Sequence, residues 1–283
     1  MKINFTKMQG TGNDYIYINC FEQKIPDPAA LAVKMSPRRL SVGADGVILI
    51  SPSGKADAEM RIFNLDGSEG KMCGNGIRCV GKYLFDNGIV CRKTMTVNTL
   101  SGIKNLEITE KNGKAEYVTV DMGQPEFESK KIPAVCPEER MVEFPISAAG
   151  GEYRITAVSM GNPHAVIFCD FDPMTLDLEK IGPEFEFNTH FPERVNTEFI
   201  RVISPGHLQM RVWERGSGET FACGTGACAA AAAAVLCGKC RKETEITVSL
   251  RGGDLIITYA ADGHIYMRGP AVKVYDGVYD YEP

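Results

Sequence analysis

The sequence predicts an α+β protein of two homologous domains related by a pseudo-twofold, each a mostly antiparallel β-sheet or barrel wrapped around a central helix. The first observation behind this is internal repetition. Arg61-Ile-Phe-Asn-Leu-Asp-Gly-Ser-Glu69 and Met72-Cys73-Gly74-Asn75-Gly76 recur 150 residues later as Arg211-Val-Trp-Glu-Arg-Gly-Ser-Gly-Glu219 and Ala222-Cys223-Gly224-Thr225-Gly226. Leu100-Ser-Gly102 matches Leu250-Arg-Gly252, and Gly12-Asn13 matches Gly161-Asn162 at a shift of 149, so a single indel separates the copies. The second observation is a series of short alternating apolar runs bounded by Gly, Pro, Asn or Asp. The third is a helix-like segment after each Cys-Gly-x-Gly.

In chain order, strands are expected at Ile3 to Met8, Tyr15 to Asn19, Val47 to Ile50, Ala58 to Phe63, Thr94 to Thr99 and Tyr117 to Met122. The principal helices are expected at Ile77 to Asn87, closed by Gly88, and at Ala227 to Cys237, closed by Gly238. The second is built from small residues on every side and has no polar face, so it must be enclosed all round. The turn at Gly123-Gln124-Pro125 divides the chain into an N-terminal domain over 1–122 and a C-terminal domain over 123–269. The strand-like Ala271 to Tyr281 has no counterpart in the first copy, so 270–283 is expected to return to the first domain.

Composition narrows the function. The chain has 283 residues, 44% hydrophobic and 24% charged, with 29 Gly and 15 Pro, as in a loop-rich globular enzyme. Net charge is −5 with no Lys/Arg cluster, which argues against a nucleic-acid partner. The longest apolar run, Ala227 to Cys237, is about half a membrane span, and Met1 to Thr6 lacks the apolar region of a secretory signal. A cytoplasmic protein without membrane contact is therefore expected, its ten cysteines kept as thiols.

Cys73 and Cys223 stand at the same place in both copies, at the start of a helix. Unpaired N–H groups and the positive helix end there lower a thiol pKa and seat a carboxylate. Gly74, Gly76, Gly224 and Gly226 let a ligand approach that backbone. If the pseudo-twofold sets the two helix starts face to face, one thiolate and one thiol flank a single carbon. That suits stereoinversion α to a carboxylate, a scheme that needs no cofactor. Cys79 and Cys228 read as helix interior. Cys237-Gly-Lys-Cys240 has zinc or redox spacing but no second pair to complete a site.

Lys7-Met-Gln-Gly-Thr-Gly-Asn13-Asp14, Phe63-Asn64-x-Asp-Gly-Ser, Met72-Cys73-Gly-Asn75-Gly-x-Arg78-Cys79, Gly161-Asn162-Pro163-His164 and Trp213-Glu214-Arg215-Gly-x-Gly-Glu-Thr-x-Ala-Cys223-Gly-Thr225-Gly together resemble the diaminopimelate epimerase family, from residue 5 to Tyr275-Asp276-Gly277. The resemblance implies a homodimeric isomerase that interconverts LL- and meso-2,6-diaminopimelate without pyridoxal phosphate or metal, toward lysine and peptidoglycan. It makes Cys73 and Cys223 the acid/base pair. It gives a substrate carboxylate to the backbone of Gly74, Asn75, Gly224 and Thr225, and the distal end to Asn64, Asn162, Asn196 and Arg215. Asn13 lies near the reacting end, His164 and Glu214 bias the thiols, and Tyr275 is the dimerisation tyrosine. The pattern departs at Gly46, where some members carry Gln after the Gly-x-Asp segment.

The residues alone leave other classes open. A proline or hydroxyproline racemase-type enzyme also uses two cysteines but has no need of Arg215 with three asparagines, and a thiol-redox or non-catalytic binding module is the third class. Asn64 and Asn196 by themselves read as turn residues, and Tyr275 as a core aromatic beside the alternating Val272 and Val274.

Overall fold

In the computed structural model, residues 1–282 are described, and they form eighteen β-strands and four α-helices. They divide into two compact units: Met1–Val120 together with the chain end from Arg268, and Asp121–Met267. The divisions fall two residues before the sequence boundaries at 122/123 and 269/270. The reason is local, since Asp121 bonds His264 at 2.9 Å and Met122 N–H donates to the carbonyl of Ile265.

The first unit begins with β1 (Lys2–Gly10) and β2 (Asn13–Asn19), an antiparallel pair closed by Thr11 and Gly12, both at positive φ. After α1 (Pro28–Met35) come β3 (Gly46–Ser51), parallel to β2, then β4 (Ala58–Asn64), antiparallel to β3, and the short β5 (Glu69–Gly70). The central helix α2 (Gly74–Asp86) follows, then β6 (Thr94–Thr99), parallel to β4, and the antiparallel β7 (Gly102–Lys111) and β8 (Lys114–Asp121). Alternation along β3 sends Val47 and Leu49 into an apolar cluster with Leu31, Ala32 and Met35 of α1, while Ile48 reaches the first turn of α2. At Gly81 a Cβ would meet Leu106 at 2.8 Å, so glycine is what lets α2 lie this close to β7.

The second unit repeats the plan. Strands β9 (Phe144–Ala148), β10 (Gly151–Ser159) and β11 (Pro163–Phe168) run antiparallel, and α3 (Leu178–Glu186) leads to β12 (Asn196–Ser204), parallel to β11. Then come β13 (His207–Glu214), the short β14 (Gly218–Glu219), the central helix α4 (Gly224–Leu236), β15 (Glu245–Leu250), parallel to β13, and β16 (Gly253–Tyr259). Ala227 to Ala234 of α4 are all fully buried, as a helix of small residues on every side requires. Finally β17 (Ile265–Pro270) leads into β18 (Val272–Asp280), which pairs antiparallel with β1 from Lys2↔Asp280 to Gln9↔Val272.

Both central helices start three residues before the expected points, because each Cys-Gly-x-Gly forms the first turn and not a preceding loop. Two further helices stand outside the expectation. Helix α1 carries ordinary start signals, with Asp27 accepting from Ala30 N–H at 3.0 Å and Pro28 in its first turn, but spans only eight residues. Helix α3 contains Pro183, which reads as a breaker.

Candidate active site

In the first unit, Cys73 is the N-cap of α2, in extended backbone conformation. Its sulfur accepts from Gly76 N–H at 3.3 Å and donates to Asn13 Oδ1 at 3.2 Å. Asn13, the first residue of β2, is oriented from behind: its Nδ2 donates to Asp45 Oδ2 at 2.6 Å, and Asp45 pairs with Arg38 at 2.7 Å. Asn75 and Gly74 are fixed by the wholly buried Arg78, whose Nη1 donates to Asn75 Oδ1 at 3.0 Å and to the Gly74 carbonyl at 3.2 Å. Asn64 closes the β4 turn through Ser68. Tyr15 is buried near Cys73; burial pushes its phenol well above the usual value, and Cys73 and Asp45 push it further.

In the second unit, Cys223 is the N-cap of α4 and is 5% exposed. Its sulfur accepts from Gly226 N–H at 3.4 Å and lies 3.4 Å from Thr225 Oγ1. Thr225 receives Asn162 Nδ2 at 3.3 Å, and Asn162 Oδ1 lies 3.1 Å from His164 Nε2. The opposite ring nitrogen of His164 is 2.6 Å from Glu198 Oε1, with both side chains fully buried. Glu214 Oε1 accepts from Thr220, and its carboxyl is hydrogen-bonded to Cys223. Asn196 Oδ1 accepts from Arg215 N–H at 2.9 Å, which fixes the backbone of the exposed Arg215.

The helix-start argument for a lowered thiol pKa needs correction at Cys223. Burial, followed by the Glu214 and Glu198 carboxylates, pushes this thiol well above its ordinary value, against the Thr225 hydroxyl and the Gly226 N–H. One amide and the helix dipole do not offset desolvation plus two negative charges. Burial also raises the Glu214 carboxyl, with Glu198 adding to it. The motif glycines also serve packing. A Cβ on Gly226 would meet Glu198 Oε1 at 2.7 Å, and one on Gly76 would meet Ile48 Cδ1 at 2.7 Å, so each second glycine lets the helix start rest on a strand.

Gly46 pairs with Asn64 across β3 and β4 and occupies the place that Asn196 takes in the second unit. A Cβ at Gly46 would fall 2.2 Å from the Phe63 carbonyl, so the backbone as it stands excludes a side chain there. Cys79 and Cys228 are buried helix interior, and Cys237 lies 3.4 Å from Thr156 Oγ1. Tyr275 is 43% exposed on β18, not a core residue, and its ring meets Phe5 edge-on at 6.0 Å.

Sequence reasoning missed Glu186 and Tyr15. Glu186 is buried and accepts from Trp213 Nε1 at 2.8 Å and from Gly216 N–H at 2.9 Å, bracing the turn that carries Glu214 and Arg215. Nothing in the repeat points to it. Tyr15 had a signal, since the shift of 149 that aligns Asn13 with Asn162 places it opposite His164.

A family model described as diaminopimelate epimerase matches residues 5–128 and 156–274. The diaminopimelate epimerase of Acetivibrio thermocellus is 52% identical over 282 residues, covering 98% of this chain and 99% of that protein. Among solved structures, a phenazine biosynthesis protein of the PhzF family from Bacillus anthracis superposes with a TM-score of 0.72 at 18% identity, over 99% of this chain and 100% of that one. A hydroxyproline epimerase from Agrobacterium vitis reaches the same TM-score, 0.72, at 15% identity, over 98% and 91%. At such identities the two structures share the fold and carry no statement about substrate.

Proposed function

The chain belongs to the diaminopimelate epimerase family, and on that premise we propose that it interconverts LL- and meso-2,6-diaminopimelate with Cys73 and Cys223 as its two bases. The observation that carries the proposal is the recurrence of a cysteine N-cap on both central helices, each sulfur accepting an N–H of its own helix start. One sulfur, as thiolate, removes the α-proton, and the electron pair passes into the substrate carboxylate as enolate-like charge. The other, as thiol, delivers a proton to the opposite face. After one inversion the two sulfurs have exchanged protonation states, which readies the enzyme for the reverse direction. The N–H groups at Gly74, Asn75, Gly224 and Thr225 are suited to the developing carboxylate charge. The scheme is complete without metal or cofactor.

The high thiol pKa at Cys223 supports a role as the proton donor, and the Asn13 contact orients the Cys73 thiol for exchange with the substrate. Arg215 is proposed as the cation for the distal carboxylate, with Asn64, Asn162 and Asn196 as neutral donors, and His164 and Glu214 as the groups that bias Cys223. The protein is proposed to act in the cytoplasm, in line with the absence of any helix, among the described residues, long and apolar enough to cross a membrane. Val272, Val274, Tyr275 and Val278 leave apolar surface on β18, which supports a homodimer. Tyr275→Ala should then sediment as monomers at micromolar concentration; unchanged dimers would remove Tyr275 from the interface.

Incubation with LL-diaminopimelate or with L-proline in D₂O tests the assignment. Loss of the α-proton signal and appearance of the meso isomer are expected with diaminopimelate only. Turnover of proline would move the protein to the racemase class, and no exchange with either would leave a binding module.

A further inference from the structure

The second unit carries a carboxylate where the first has an aliphatic side chain. Glu198 sits in β12 between Val166 and Val212, and Ile48 sits in β3 between Tyr17 and Ile62, the same place in the repeat. Both reach the first turn of their central helix, 2.7 Å from where a Cβ would stand on Gly226 or Gly76. Ile48 therefore shows that the duplicated frame closes here without a charge. Burying a carboxylate instead costs free energy. Glu198 is fully buried, and its Oε2 has no hydrogen-bond partner among the described residues, so stability of the frame does not account for it.

Its other oxygen is committed. Glu198 Oε1 lies 2.6 Å from His164 Nδ1, and a carboxylate can only accept, so the ring nitrogen donates. From there the contacts run His164 Nε2 to Asn162 Oδ1 at 3.1 Å, Asn162 Nδ2 to Thr225 Oγ1 at 3.3 Å, and Thr225 Oγ1 to Cys223 Sγ at 3.4 Å. We propose that Glu198 is a positioning residue for the epimerisation: it fixes a proton on His164 Nδ1 and thereby holds the Nε2 edge of the ring toward the Asn162–Thr225–Cys223 chain. With Nδ1 held by the carboxylate at 2.6 Å, the plane of the ring is set and its Nε2 edge meets Asn162. The inference rests on the reading of Cys223 as one of the two bases. Glu198 itself meets no reacting atom and acts through the ring.

Steady-state kinetics of Glu198→Gln and Glu198→Asp, each made in wild type and in a His164→Gln background, separate this role from a merely structural one. Glu198→Gln should lower kcat by about 10- to 100-fold, the usual cost of losing a partner that orients a functional histidine, with KM changed less than about threefold. Glu198→Asp should restore part of the loss. In the His164→Gln background the Glu198→Gln change should cost less than about twofold, because the ring it acts through is gone. Equal costs in both backgrounds would overturn the proposal. Nitrogen-15 spectra of the His164 ring without substrate give a readout that needs no turnover: Nδ1 protonated in wild type supports the contact, and Nδ1 unprotonated overturns it even if Glu198→Gln fails to fold. If Cys223→Ala retained epimerase activity, the two-thiol reading would fall, while the ring spectrum would still judge the Glu198–His164 contact by itself.

Discussion

Cys73 and Cys223 cap helices of thirteen residues each, and each sulfur accepts the N–H of the second motif glycine, yet their surroundings differ in kind. Around Cys73 stand an asparagine amide and a buried phenol. Around Cys223 stand two carboxylates and a histidine, placed where the first unit has Asn64, Ile48 and Tyr15. Duplication supplied two identical caps, and substitution at three neighbouring positions made them unequal. The proposed inversion needs the two sulfurs in opposite protonation states, one base and one acid, and unequal surroundings bias which sulfur holds the proton.

The largest expected effect breaks the pair itself. Cys73→Ala and Cys223→Ala should each lower epimerisation by at least about 10³-fold, measured as meso isomer formed from LL substrate, with the circular dichroism unchanged. Normal turnover in either would end the two-thiol account. The two arginines shared by the copies differ in a second way. Arg211 is 9% exposed against Glu219 and also donates to the carbonyls of Pro173, Met174 and Leu176, whereas Arg61 is 40% exposed and binds Glu69. Glu219 keeps Arg251 at 2.9 Å, so Arg211→Met should cost about 1–3 kcal/mol in urea unfolding, chiefly for the carbonyls it leaves without a donor, and Arg61→Met no more than about 1 kcal/mol.

Arg215, opposite Leu65 in the repeat, gives the third contrast. Arg215→Met should lower kcat/KM for diaminopimelate by about 2–4 kcal/mol, roughly 30- to 1000-fold, while the weak turnover of lysine changes little. Equal losses on both substrates would make Arg215 a support of the Cys223 turn. The smallest effect concerns charge alone. The Glu214 carboxylate opposes thiolate formation at Cys223, so Glu214→Gln should lower that thiol's pKa, and the pH dependence of Cys223 alkylation, followed by peptide mass spectrometry, should move toward acid. A shift toward alkali, or none, would show that Glu214 is not the charge that holds the thiol up.

The repeat was legible in the sequence because its Arg, Glu, Cys and Gly residues keep register, and from it came the paired central helices and the two cysteine caps. The sense of the Cys223 pKa was not legible. It depends on burial first and then on Glu214 and Glu198, and Glu198 sits in an ordinary strand-like stretch, Asn196 to Ile200, where only pairing with β11 and β13 turns it toward the helix start. Glu186 was hidden for the same reason: its partners Trp213 and Gly216 lie about thirty residues away, and α3 was itself obscured by Pro183. Helix α1 had its cap and its proline in plain view but is too short for apolar periodicity to register.

Proton exchange in D₂O by the two single-cysteine variants tests the central claim most directly. On the proposal that the two sulfurs flank the α-carbon, Cys73→Ala and Cys223→Ala should each wash deuterium into only one configuration at that carbon, without inverting it, and the two variants should label opposite configurations. Deuterium entering both configurations in one variant, or the same configuration in both, would contradict an account in which the two thiols work from opposite faces.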